Sequence, residues 1–407
     1  METYRHYALE LIEKGAAYYC FCTEERLTRL REEQTKEKRP TGYDGHCRAL
    51  DEELIKNNLE KRTPFVIRFK IPEGRGTITF TDEIRGKVAI EASALDDHVL
   101  LKSDGYPTYH LASVVDDHLM EISHVVRGED WLPSTPKHIL LYEAFGWTIP
   151  LYAHLPLILN EDKTKLSKRK GDKSIDGFLE RGYLKEAILN FVALLGWNPG
   201  KGSTEEFFTL DELTQVFDFS QVNKSGAVFD SKKLDWMNHH YIMKKTPQEL
   251  LSLLQEGKFL EEKGYYQEAP ADRKLDAFLL KVIAVEQERL TTLFEVGENT
   301  PFFFKETLSY PVALLAWKEN SQEQTKEALA KAIEILEKVG EGEWARENLA
   351  KTLLEMAGDK KGDFLWPLRV ALTGAECSPS PMDVAWVLGK ATSLKRIQRA
   401  LSLFEAL

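Results

Sequence analysis

The sequence predicts a mixed α/β first half followed by an almost entirely helical second half. Three observations lead there. Period-two apolar alternation is confined to residues 64–90, strand–helix–strand patterning with short connections fills 99–160, and helical apolar spacing dominates after about residue 175. The chain has 407 residues, enough at about 150 per domain for two to four domains with buried cores.

Taken in order, the first thirty residues read as helix, with Tyr7, Leu11 and Ile12 at helical spacing and Gly15 as a stop. Phe65–Lys70, Thr77–Phe80 and Val88–Ile90 read as short strands separated by Pro72, Gly74, Gly76 and Gly86, a hairpin pattern. Val99–Lys102 reads as a strand, Ser103-Asp104-Gly105 as a turn, Tyr109–Val115 as a helix start and Ile122–Val126 as another strand. A helix over Pro136–Phe145 ends at Gly146, and Leu155–Leu159 reads as a further strand. This order suggests part of a parallel sheet. Beyond it, Tyr183–Leu195 places Leu184, Ile188, Val192 and Leu195 on one face. Glu327–Lys338 does the same with Leu329, Ala332, Ile333 and Leu336.

Composition narrows the function. Apolar residues make up 43% and charged residues 29%, which fits a globular enzyme and excludes a disordered or collagen-like chain. No run approaches ~18 apolar residues, so no membrane span is expected. The opening Met1-Glu2-Thr3-Tyr4-Arg5-His6 holds no apolar signal core. Three of the four cysteines fall before residue 50, a pattern that suits a reducing cytoplasm and raises a metal site. The net charge of −11 disfavours nucleic acid on average. A local basic patch suffices for binding, however, and residues 163–173 carry six Lys or Arg in eleven positions.

The chemistry centres on that patch. Lys165-Leu166-Ser167-Lys168-Arg169 follows a strand of the α/β region, and mobile lysines with a hydroxyl are suited to neutralising charge on a phosphate chain. It resembles the Lys-Met-Ser-Lys-Ser loop of class I aminoacyl-tRNA synthetases in its glutamyl-tRNA synthetase form. Asp104–Ala112, Val114–His118, Val126–Leu132 and Ser134–His138 follow in that family's order. Lys233–Asn238 resembles its hinge and Asp363–Arg369 its anticodon-binding region, so the resemblance spans about residues 1–407.

That resemblance implies a partial Rossmann-type catalytic core with a connective insertion, then an all-α anticodon-binding half. The expected division is 1–106 for the acceptor-end-binding insertion with a remnant of the core, and 107–164 for the second half of the catalytic domain. Residues 165–244 would form the lysine loop and stem-contact helices, and 245–407 the anticodon-binding domain. The implied activity is ATP-dependent activation of L-glutamate and its transfer to the 3′ end of tRNA(Glu), with Mg²⁺ bridging the ATP phosphates, in a cytoplasmic monomer. Arg127 is implied to clamp the side-chain carboxylate, a planar fork meeting two oxygens. Tyr109 is implied to hydrogen-bond the amino acid, and Ser113 stands where some members carry Asn. Lys165, Ser167, Lys168 and Arg169 form the catalytic loop, and Lys165, Lys168 and Trp131 the ATP contacts. Glu129 and Asp130 lie where nucleotide and tRNA end would meet. The pair Asp116-Asp117 reads as scaffold for the site, and Asp96-Asp97 as a solvated or capping feature.

Cys20-Phe21-Cys22 and, after twenty-four intervening residues, Cys47 offer three thiolates of a tetrahedral zinc site. Some bacterial members carry zinc here with a final Cys-x-His, whereas position 49 is Ala49. The fourth ligand is then His46 or Tyr43, or the cluster is a metal-free set of buried thiols. A second departure is the absence of the family's His-Ile-Gly-His-like signature. The expectation is a chain lacking the N-terminal strand–helix unit, with little glutamate activation by itself. A non-catalytic tRNA-binding relative of the synthetases is the alternative. The helical half argues against the short paralogue and against glutaminyl-tRNA synthetase, and whether tRNA(Gln) is also charged stays open.

Overall fold

The computed structural model describes residues 1–166, 174–200 and 202–405. They gather into two compact units. One holds Met1–Leu166, Leu194–Glu205 and Thr214–Phe229, and the other holds the described parts of Ser167–Ala193, Glu206–Leu213 and Asp230–Leu407.

The first unit begins with α1 (Glu2–Glu13), which buries Ala8 and Leu11. Gly15 turns the chain with φ +71°, a conformation open to glycine. The expected helix over the first thirty residues does not continue there. Residues Ala17–Cys20 form strand β1, followed by α2 (Glu24–Lys36) and α3 (Glu52–Glu60). The reason is tertiary: β1 pairs antiparallel with β2 (Val66–Phe69) from Ala17↔Phe69 to Cys20↔Val66, burying Tyr18 and Cys20. The hairpin reading holds for β3 (Thr77–Asp82) and β4 (Gly86–Glu91), paired from Thr77↔Glu91 to Asp82↔Gly86. Strand β5 (Val99–Leu101) completes the sheet β1-β2-β5.

Helix α4 (Tyr109–Leu119), strand β6 (His124–Gly128), helix α5 (Thr135–Phe145) and strand β7 (Leu151–Leu155) make the strand–helix–strand unit. Their second sheet runs β4-β3-β7-β6, with β6 and β7 parallel from His124↔Leu151 to Gly128↔Leu155 and β3 parallel to β7 at Asp82↔Tyr152. The strand expected over 155–159 is split. Pro156, which has no N–H, ends β7, and β8 (Ile158–Leu159) pairs separately with β9 (Ala227–Val228). One apolar cluster lies between these elements, built from Ile67, Phe69, Ile78, Leu100, Val114, Leu140, Leu141 and Tyr152. Helix α5 is buried nearly all round and closes at Gly146 in the left-handed conformation.

The second unit is helical, as its apolar spacing predicts. The segment Ser231–Met243 is N-capped by Asp230, and buried Asn238 accepts from the Leu184 N–H at 2.8 Å and donates to the Thr291 carbonyl. Capping boxes start the helices Pro247–Glu256 (Thr246 with Glu249) and Gln322–Lys338 (Ser321 with Gln324). In the helix Lys361–Thr373, the Trp366 indole N–H donates to the Leu314 carbonyl and Arg369 reaches the Ser378 carbonyl. Leu251, Val282, Phe303, Leu329, Leu353, Leu368 and Val384 belong to one continuous core. No described helix is long and apolar enough to cross a membrane.

Candidate active site

The parallel strands deliver a polar cluster to their carboxyl ends, where open α/β sheets place ligands. Asp82 is the last residue of β3, His154 stands next to last in β7, and Arg127 is its cross-strand partner on β6. These residues bond in series. The His154 Nδ1–H donates to Asp82 Oδ2 at 2.6 Å, and Nε2 accepts from Arg127 Nε at 3.1 Å. Burial, first of all, holds the imidazole below its usual pKa, so it is neutral at pH 7; the carboxylate fixes its tautomer. Burial alone would raise the Asp82 carboxyl. The Arg85 backbone N–H and the His154 side chain outweigh it and hold the acid below its ordinary range.

The rest of the Arg127 fork is equally occupied. Nη2 donates to Thr135 Oγ1 at 2.9 Å, while Nη1 lies 3.3 Å from His138 Nδ1 and 3.4 Å from the Tyr109 hydroxyl. The Tyr109 ring sits against Trp131 at 4.2 Å between centroids, and both rings are partly exposed beside the guanidinium. Ser113, one turn along α4 from Tyr109, donates to Asp117 at 3.2 Å. Asp116 accepts from the Tyr4 hydroxyl at 2.8 Å, which fits a scaffolding pair.

Behind this layer stands a row of histidines. His138 Nε2 lies 3.0 Å from His110 Nδ1, and the His110 ring is 5.0 Å from that of His98. His98 is buried with neither ring nitrogen hydrogen-bonded. Burial drives all three toward the neutral form: His98 to about 3, His110 to about 4, and His138 well below its usual value, with nearby Lys137 and Arg127 adding to it.

Glu129 pairs with Arg85 at 2.6 Å and accepts the Leu157 N–H at 3.1 Å, locking the residues after β6 onto those after β7. Lys165 returns along β8 through its bridge with Leu159 and ion-pairs with Asp130. Ser167, Lys168 and Arg169 lie outside the described residues. The reading of Asp96-Asp97 as solvated is corrected. Asp97 is buried and accepts from Tyr18 at 2.7 Å and from the Ile71 N–H at 2.9 Å, and Asp96 pairs with Lys137 at 3.0 Å. Sequence reasoning also assigned no role to Asp82, Thr135, His138 or His154. No local signal marks them: β3 reads Thr77-Ile78-Thr79-Phe80-Thr81-Asp82, and Thr135 and His138 lie on α5 rather than on a strand.

The thiols of Cys20, Cys22 and Cys47 converge within 4.8 Å of one another. Cys22 Sγ lies 3.5 Å from Cys47 Sγ, and the Tyr43 hydroxyl is 3.4 Å from Cys20 and 3.5 Å from Cys22. A tetrahedral zinc with bonds of about 2.3 Å has edges of about 3.8 Å, so the three thiols fit three of its corners. Of the two fourth ligands considered, the structure brings Tyr43 to the thiols; His46 instead donates its backbone N–H to Asp44. Burial, then the neighbouring thiols, pushes Cys22 up to about 12, because adjacent thiolates repel without a cation.

Comparison with known proteins shows the family. Residues 1–236 match the model of the class I tRNA synthetase (E and Q) catalytic domain, and residues 249–401 match an anticodon binding domain. The chain belongs to the class I tRNA synthetases of the E and Q type. Among its relatives are proteins named glutamate–tRNA ligase. That of Alkaliphilus metalliredigens is 43% identical over 97% of this chain and 79% of the relative, and that of Clostridium tetani is 44% identical over the same shares. The crystal structure of a glutamate tRNA ligase from Elizabethkingia meningosepticum in complex with its amino acid superposes with a TM-score of 0.84. It is 34% identical and covers 98% of this chain and 82% of that one.

Proposed function

We propose that this chain is a glutamate–tRNA ligase, joining L-glutamate to ATP as glutamyl-adenylate and passing the glutamyl group to the 3′ end of tRNA(Glu). In the first step a glutamate α-carboxylate oxygen attacks the α-phosphorus and pyrophosphate leaves. In the second a terminal ribose hydroxyl attacks the carbonyl and AMP leaves. The observation that carries the reading is the Arg127 fork at the carboxyl ends of β6 and β7, fixed by four partners and bordered by the half-exposed Tyr109 and Trp131.

In this reading Arg127 grips the substrate's side-chain carboxylate, Tyr109 hydrogen-bonds the amino acid, and Ser113 with Asp117 supports that wall. Trp131 lines the ATP side. Lys165, Ser167, Lys168 and Arg169 neutralise the charge that grows on the phosphates, a task Mg²⁺ shares when bound. Cys20, Cys22, Cys47 and Tyr43 would hold a structural zinc, fixing the segment between β1 and α3. Residues 1–106 serve the tRNA acceptor end, 107–164 the chemistry, 165–244 the stem and 245–407 the anticodon, in a cytoplasmic monomer.

Calorimetric titration with L-glutamate, glutamine and aspartate tests the proposal. Glutamate-selective binding is expected, weakened about 100-fold in Arg127→Ala because two charge-assisted hydrogen bonds are lost. Binding of all three with equal affinity would overturn it.

A further inference from the structure

An arginine awaiting an anion poses a design problem. Five N–H donors need acceptors to hold the fork still, yet the commonest acceptor, a carboxylate, cancels the charge the ligand is meant to meet. Arg127 forms no ion pair among the described residues. Nε meets the His154 imidazole at 3.1 Å, Nη1 the His138 imidazole at 3.3 Å, and Nη2 the Thr135 hydroxyl at 2.9 Å. Asp82 is one imidazole removed, with its oxygen 2.6 Å from His154 Nδ1. Asp117 is engaged with Ser113.

We infer that His154 and His138 are positioning residues that set side-chain specificity: they fix Arg127 through neutral acceptors, leaving its positive charge uncancelled, so that the site selects glutamate over glutamine. This rests on the reading of Arg127 as the carboxylate clamp. Both imidazoles must present a bare nitrogen to the guanidinium. For His154 the Asp82 carboxylate takes the Nδ1–H and leaves Nε2 free. For His138, His110 can take the Nε2–H at 3.0 Å and leave Nδ1 free. Neither imidazole has room for a second proton, because both are buried and face the cation. The site thus holds its cation as firmly as a salt bridge would, without the counter-charge. A carboxylate at either position would meet the incoming glutamate side chain as a like charge and would favour the neutral amide of glutamine.

The test compares dissociation constants for L-glutamate and L-glutamine, titrated calorimetrically into the full chain. His138→Asp puts a carboxylate beside Nη1, and the glutamate-to-glutamine preference should fall at least about tenfold, the difference between a charge-assisted and an ordinary hydrogen bond. His138→Asn, whose amide oxygen can take the place of Nδ1, should keep the native preference. Should His138→Asp fail to fold, Tyr109→Glu and Tyr109→Gln, which both lose the tyrosine's own contact, are compared with each other at an exposed position 3.4 Å from Nη1: the Glu variant should show a preference about tenfold below that of the Gln variant. A preference unchanged in the folded Asp and Glu variants overturns the inference. If Arg127→Ala leaves glutamate affinity intact, the clamp reading itself has failed; if it abolishes binding while the Asp and Glu variants keep the preference, only the role of the histidines has.

Discussion

Around Arg127 a single cation is enclosed by neutral acceptors, each satisfied by a partner behind it, whereas at Cys20, Cys22 and Cys47 three ionisable thiols crowd a tyrosine hydroxyl. Two cations border them: Arg26, 3.6 Å from Cys22 and paired with Asp44 at 2.6 Å, and Arg68, which lies over the Tyr43 ring and helps hold the Cys20 thiol below its usual pKa. The two clusters belong to different sheets of one unit. The first has its hydrogen bonds satisfied as it stands and, in the proposed reading, receives the substrate carboxylate. In the proposed reading the second is completed by a zinc ion that lets the thiols ionise together. Pre-organisation by hydrogen bonds and assembly by a metal are thus separable within one unit, and each should respond to a different perturbation.

Acid should distinguish them most strongly. His98, His110, His138 and His154 are all held neutral, with folded-state pKa values below the unfolded value near 6.5. For such groups the stabilisation is fully present above about 6.5 and is lost as pH falls toward the folded value, because the unfolded chain takes up protons that the fold refuses. Between pH 6 and 5, where the unfolded imidazoles are mostly protonated and these two are not, His98 and His110 together should cost up to about 3 kcal/mol per pH unit. Urea unfolding of the full chain at pH 7, 6 and 5 would show it. His98→Phe, which removes an imidazole with no hydrogen-bond partner, should flatten the slope by about 1 kcal/mol per pH unit. A pH-independent midpoint over this window would mean that the histidine row is solvated, and the contrast with the thiols would disappear.

How much of each cluster the sequence revealed follows the same division. The thiols come from one stretch, residues 20–47, so their spacing was visible directly. Only the fourth donor needed the fold, which brought Tyr43 inward rather than His46. The arginine cluster draws on positions from 82 to 154. Arg127, Tyr109 and Trp131 were recognisable through short motifs. Asp82 and His154, 72 positions apart, meet only because β3 and β7 align, and nothing local marks either. The mistaken helix over Ala17–Cys20 has the same origin, since strand pairing with Val66–Phe69 overrides local spacing. Asp97 was misread because its partners, Tyr18 and the Ile71 backbone, are distant in sequence.

Metal removal is the complementary perturbation. Purified chain should carry close to one zinc. Chelation should then lower stability by about 4 kcal/mol at zinc levels a thousandfold above the dissociation constant. The loss should appear as a lower melting temperature, with the Glu/Gln preference of the arginine site unchanged. Cys47→Ser should reproduce the effect and abolish the response to chelator. Zinc content near zero in chelator-free preparations would leave the thiols as a buried metal-free cluster and remove one side of the comparison.

The smallest effect concerns Lys165, whose ammonium is paired with Asp130 while both side chains are about half exposed. Solvent screening limits such a pair to well under ~1 kcal/mol, so Asp130→Asn should leave the melting temperature within about 2 °C of the native chain. Its consequence should lie in binding instead. Freed of its counter-ion, Lys165 would offer a full charge to a phosphate, and ATP affinity should rise about twofold. That repeats, at the protein surface, the logic that keeps carboxylates away from Arg127. Here the cation is exposed and a weak, breakable pair is tolerated. At the sheet edge it is fixed, and a carboxylate there would compete with the substrate. Weaker ATP binding in Asp130→Asn would instead place Asp130 among the groups that organise the nucleotide.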